Sequence, residues 1–264
     1  MSNTALATNQ VKTLATNEAE VPPHVLQSDA YKAGIVGLGN EEVGTAIAPP
    51  RVKQLQKMSN EVDKHHNDYI EDAEPGDFLT SLNNKLYKNE LFVISLMFKH
   101  EFVVWRDRDA GGGYGGSFRT AEEAFAFMAA QEKPKEWGTN VEGMKGYDIQ
   151  PNEHSRIPEA THSHLLLIKN PETGIIERMP HIMDFPRSKL RVSKNWNTQI
   201  AAMGGDRFAA LWRLSPLATT TKSGEQFLNL NVECAGWAFP DDYNTAKTLY
   251  KAMFSTGQNS ISSH

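Results

Sequence analysis

ELFVISLMFKHEFVVWRDRDAGGGYGGSF, residues 90–118, is the stretch from which the rest of the chain is read. Leu91–Met97 is almost continuously apolar, so both faces of a strand there are expected to be covered. From Lys99 onward charge mixes with Phe102, Val103, Val104 and Trp105. The run is β-branched, aromatic and longer than an average strand, which predicts one long bent strand or two strands broken near Lys99-His100. Its far end leaves the core, and there Trp105, Arg106, Arg108, Tyr114, Phe118 and Arg119 fall within fifteen positions. Aromatic rings interleaved with guanidinium groups suit single-stranded nucleic acid, because bases stack on rings and cations follow phosphates. The same residues equally fit a plain hairpin with core aromatics and solvated arginines. Gly111–Gly116 lacks the Gly-Lys-[Ser/Thr] ending of a phosphate-binding loop and is read as a hairpin tip carrying Tyr114.

Working outward, Thr120-Ala-Glu-Glu123 matches a capping box and predicts a helix to about Gln131. Residues 133–158 read as a long irregular connection. A strand at Ser163–Lys169, the turn Asn170–Gly174 and a second strand at Ile175–His181 form a predicted hairpin. Arg187–Met203 has helical spacing, with Arg187, Arg191, Lys194 and Thr198 on one side and Val192, Trp196, Ile200 and Met203 on the other. Lys189 interrupts the apolar side in the first turn. Phe208–Leu214 and Phe227–Ala235 read as paired strands, and Pro240 opens a last helix followed by a polar tail. Upstream, the character changes at Pro49-Pro50. Residues 1–48 are read as a flexible arm, 49–240 as the folded core, and 241–264 as the C-terminal helix and tail. At least five strands, antiparallel where adjacent, and at least two helices predict a β-rich α+β fold: a small β-barrel, or a strongly curved antiparallel sheet with peripheral helices.

Composition narrows the class. The 264 residues are 39% hydrophobic with a mean hydropathy of −0.49, and no apolar run approaches a membrane span. The first thirty residues lack a charged and then apolar leader, so no secretory signal is expected. The single cysteine, Cys234, excludes an intrachain disulfide and is read as a buried thiol in a reducing compartment. Net charge is −5, yet Pro186–Arg213 holds six basic residues and one acidic, a local +5. A nucleic-acid binder has this form when its groove is positive and the remaining surface repels the polymer.

For catalysis, His162 and His164 lie two apart and point to one face, and a metal-dependent enzyme built on them is the enzymatic alternative. Polar strand-edge histidines are the competing reading. No Gly-x-Ser-x-Gly elbow is present. A third alternative is a virion or host-takeover module binding a protein through Trp137, Trp237 and the arm. The leading expectation is a binding protein and not an enzyme, with no cofactor and no metal, whose site residues are Trp105, Arg106, Arg108, Tyr114, Phe118, Arg119, Arg187, Arg191 and Lys194.

Four stretches carry a family resemblance: PPRVKQLQKMS from Pro49, PGDF from Pro75, FVVWR with its glycine-rich sequel, and RSKLR followed by KNWN. Together, over about Pro49–Phe254, they resemble bacteriophage replication-region proteins that bind single-stranded DNA on an oligonucleotide-binding (OB) fold. The resemblance implies an OB-like fold, single-stranded DNA as partner, replication or recombination proteins as further partners, an oligomer as one option, and the host cytoplasm as location. It assigns no individual contact residue. Bacterial single-stranded DNA-binding proteins end in an acidic tail with a terminal Pro-Phe; the residues here are Gln-Asn-Ser-Ile-Ser-Ser-His, so that recruitment mode is not expected.

Overall fold

The predicted long strand exists and is the axis of the molecule. In the computed structural model, which describes residues 50–145, 148–220 and 224–259, it runs unbroken as a strand over Leu91–Trp105. At about 3.3 Å per residue it is ~50 Å long. Preceding it are three short strands, β1 (Val52–Gln54), β2 (Phe78–Thr80) and β3 (Leu86–Tyr87), so the long strand is β4. β5 (Tyr114–Phe118) and helix α1 (Ala121–Ala129) follow. Then come the short strands β6 (Thr139–Asn140) and β7 (Arg156–Ile157), β8 (Glu159–Lys169) and β9 (His181–Pro186). Helix α2 (Ser188–Met203), β10 (Ala210–Thr220), β11 (Gln226–Trp237) and helix α3 (Pro240–Asn259) complete the order.

Among the described residues the main sheet has six strands, in the order β11-β10-β4-β8-β9 with β5 also on β4. Every pairing in it is antiparallel. β8 lines β4 from Phe92↔Lys169 to Val103↔Glu159, with one irregularity between Ser95 and Met97. The other edge of β4 is shared: β10 pairs only with Leu91–Val93, and β5 only with Phe102–Trp105. The strand is not broken near Lys99-His100; its irregularity against β8 lies a few residues earlier.

The first half of β4 is covered on both faces, as its continuous apolar run predicted. Leu91 and Val93 enter one core with Phe185, Trp196, Trp212 and Leu230; Ile94 and Leu96 enter another with Leu167, Phe208 and Ala246. Helix α2 packs against β8, β9 and β11. It presents fully buried Trp196 and partly buried Val192 and Ile200 to that core, while Arg191, Lys194 and Thr198 stay exposed. The two-faced reading of this helix holds. The capping box also forms: Thr120 Oγ1 accepts from the Glu123 backbone N–H at 3.2 Å, and Glu123 Oε2 accepts from the Thr120 N–H at 3.3 Å.

Four expectations are corrected. No sheet closes into a barrel among the described residues, so the OB-like barrel gives way to an open α+β sheet. Helix α2 packs against both end strands, β9 and β11, which do not pair with each other. The partner of β8 is His181–Pro186, not Ile175–His181. The turn is made, with Asn170 Oδ1 accepting from Glu172 and Thr173, but only Ile176 bridges back, to Lys169. Pro180 then interrupts the ladder before it resumes at His181. His162 and His164 are not polar edge residues, because β8 is flanked by β4 and β9 and both side chains are buried. Cys234 is exposed, not buried. The predicted arm, residues 1–48, lies outside the described residues.

Candidate nucleic-acid interface

The aromatic cluster is assembled by the β4–β5 hairpin. Trp105 and Tyr114 are register partners across it, with ring centroids 5.4 Å apart in a T-shaped arrangement. Trp105 is 47% exposed and Tyr114 60%. Between them the chain turns through a 3-10 segment, Arg108–Ala110, and Gly111–Gly113, all three at positive φ, where a side chain would be strained. Gly115 acts through packing instead: a Cβ there would lie 2.7 Å from the Trp137 ring and 2.8 Å from Phe127, so its absence lets β5 close onto the α1 cluster.

The hairpin is anchored from behind by residues that no local pattern announces. Arg156, buried, donates to both Asp107 oxygens at 2.7 and 2.5 Å. This hydrogen bonding holds the Asp107 carboxyl below its ordinary pKa. Asp107 N–H donates to Glu136 O, and Gly112 N–H to Asp107 O, so the base of the turn is tied on both sides.

The structure sorts the predicted residues. Arg106 is paired with Glu136 through Nε at 3.1 Å and Nη2 at 2.6 Å, and its guanidinium lies 5.9 Å from the Trp137 ring. Phe118 is half-buried against Phe127 and the α1 cluster. Arg108 and Arg119 are exposed and make no ion pair among the described residues. On the helix, Arg187 is paired with Glu159 at 2.8 Å, Lys194 lies 3.4 Å from Asp148, and Arg191 is exposed. Lys189, one turn ahead of Ser193 on the same face, is pushed down to about 8 by burial.

The two histidines form a different arrangement from the one expected. Ser193 Oγ of α2 stands 2.9 Å from His162 Nδ1 and 2.7 Å from His164 Nε2. One hydroxyl donates to one ring and accepts from the other, which suits two neutral imidazoles. His164 stacks on Trp196 at 4.3 Å and 8°, and its Nδ1 lies 3.5 Å from Ser95 Oγ, which accepts from Arg207 at 3.0 Å. Burial first, then nearby positive charge, lowers His162 to about 4 and His164 to about 3. Among the described residues no three His, Cys, Asp or Glu side chains converge as a metal-ligand group. Ser193 and Arg207 were invisible as partners in the sequence, lying 31 positions from His162 and 112 from Ser95.

An open antiparallel sheet with helical cover and an exposed aromatic hairpin tip is thus the class of protein the described residues define. By sequence the chain belongs to the Pam3 phage gp34-like protein family, which matches residues 16–259. No curated protein and no solved structure matches it. The phage resemblance stands at that level. Among the described residues no helix is long and apolar enough to cross a membrane.

Proposed function

We propose that the protein binds single-stranded DNA, without chemistry of its own, in phage replication or recombination. The observation that carries this is the exposed Trp105–Tyr114 pair, two rings held together by strand register at the end of the longest strand. Large rings left in water on an ordered hairpin are an open stacking surface of the kind that takes bases without regard to sequence. Arg108 stands beside them on the turn and Arg119 at the other end of β5. Arg187, Arg191 and Lys194 supply a second positive surface on α2, with Arg187 exchanging Glu159 for a phosphate. Arg106 and Phe118 support the site from within, as a paired guanidinium and a packed ring.

The test is a fluorescence titration with oligo-dT at several salt concentrations. Stacking contributes about 1–3 kcal/mol per base, so Tyr114→Ala is expected to weaken binding about tenfold or more, while Tyr114→Phe stays close to wild type because the ring and not the hydroxyl stacks. Wild-type affinity in Tyr114→Ala would reduce the hairpin to a plain turn.

A further inference from the structure

We propose that the strip around His100 and Phe102, on β4 between α1 and α2, is a second base-contacting subsite for the same single strand; this rests on the stacking role of Trp105 and Tyr114. His100 is opposite His162, their rings 5.0 Å apart, and His162 is bonded to Ser193 of α2. His100 therefore lies on the face of the sheet that α2 covers. On its other side its ring is 4.9 Å from Phe102, which packs against Val104, Ala124 and Met128 beneath α1. The side chains thus run from one helix to the other in an unbroken line, and His100 is the exposed one, where neither helix roofs the sheet.

The positive charge beside this opening is loosely paired. Lys194 follows Ser193, the α2 residue bonded to His162, and is exposed. Its carboxylate partner, Asp148, is 3.4 Å away, with both side chains largely in water. A pair of that kind contributes little and yields readily to a better anion. Arg191 is exposed one turn earlier on the helix. An exposed ring beside a half-buried ring, next to an ammonium with a weak partner, fits a ligand that is flat and unsaturated at one end and anionic at the other. A nucleotide within a strand has both parts.

His100 and Trp105 are five residues apart on one strand, ~16 Å at the usual rise, and this odd separation turns their side chains to opposite faces of the sheet. That is farther than one nucleotide spans, so only an oligomer long enough to pass round the end of β4 engages the two subsites.

The experiment compares affinities for oligo-dT of about four and about fifteen nucleotides, the range of site sizes found for single-strand binders. His100→Ala, at an exposed position, is expected to keep the thermal midpoint. It should weaken binding of the long oligomer about tenfold while leaving the short one, held at Trp105 and Tyr114, unchanged. His100→Phe restores a stacking ring and is expected to return the long-oligomer affinity. If Tyr114→Ala weakens both lengths and His100→Ala weakens neither, or both equally, the strip is no subsite and the hairpin reading stands. If the wild-type protein binds neither length, both fall together.

Discussion

The two halves of β4 are built from similar residues and meet opposite environments. From Leu91 to Leu96 the strand is enclosed, one face under α2 and the other beneath Phe208 and α3. From Lys99 to Trp105 it carries Phe102, Val103, Val104 and Trp105, yet only Val104 is buried. Hydrophobicity alone does not separate the halves; what lies over them does. α2 and α3 cover the first half, α1 covers part of the second, and Trp105 projects past all of them beside Tyr114. Leaving two such rings in water forgoes burial worth about 1.5–3 kcal/mol for a large apolar side chain. A sheet selected for folding alone gains nothing from that exposure.

The comparison breaks most readily at the buried half. Trp196 is fully buried, stacked on His164 and 5.8 Å from Trp212. Trp196→Ala is expected to cost about 3–5 kcal/mol of folding stability, read as a lowered midpoint in a denaturant titration. Trp105→Ala should cost a clearly smaller amount, since nearly half of that side chain is already in solvent. Equal losses would mean that the open half is as much core as the closed one.

At the junction between the halves, acid is the sharper probe. His162 and His164 face His100 and Phe98 across β8 and β4, and their folded-state values lie near 4 and 3 against an ordinary 6.5. The unfolded chain therefore binds the proton first. Stability is full above about pH 6.5 and falls as pH drops towards 4 and then 3, by up to about 1.4 kcal/mol per pH unit for each histidine. Other groups titrate in the same window, so the diagnostic is a difference: His164→Gln should flatten the decline relative to wild type in chemical denaturation across that range. An unchanged slope would show that the imidazole is not held neutral by the fold.

How much of this was legible follows from how local each signal is. The α1 cap needs only Thr120 and Glu123, and the faces of α2 need only a helical period, so both were read correctly. Tyr114 among glycines was legible as exposed because nothing near it in sequence could pack. The Asp107–Arg156 anchor joins residues 49 positions apart, and the Arg106–Glu136 pair joins residues 30 apart; no periodicity connects them. The two histidines were visible, but not their burial, which depends on β9 pairing from His181 and on a serine one helix away. The open sheet was hidden for a related reason. Strand count and alternation are the same whether the end strands pair with each other or stay apart.

The smallest expected effect separates two arginines that look equivalent in sequence. Arg106 and Arg108 stand two apart at the end of the exposed half, and both belonged to the predicted site. Arg106 is already neutralised by Glu136 through two hydrogen bonds, so a phosphate would have to displace a carboxylate that fits it. Arg108 is exposed and makes no ion pair among the described residues. Each phosphate contact to a single strand releases counterions and adds about 0.7 to the slope of log affinity against log salt. Arg108→Gln is therefore expected to reduce that slope by about 0.7 without moving the thermal midpoint. Arg106→Gln should leave the slope nearly as it was and lower the midpoint modestly, because Glu136 keeps only Lys133 as a partner and the hairpin loses one of its ties. The reverse outcome would show that Arg106 leaves Glu136 when DNA arrives, and the boundary between the supporting and the contacting residues would then move inward by one pair.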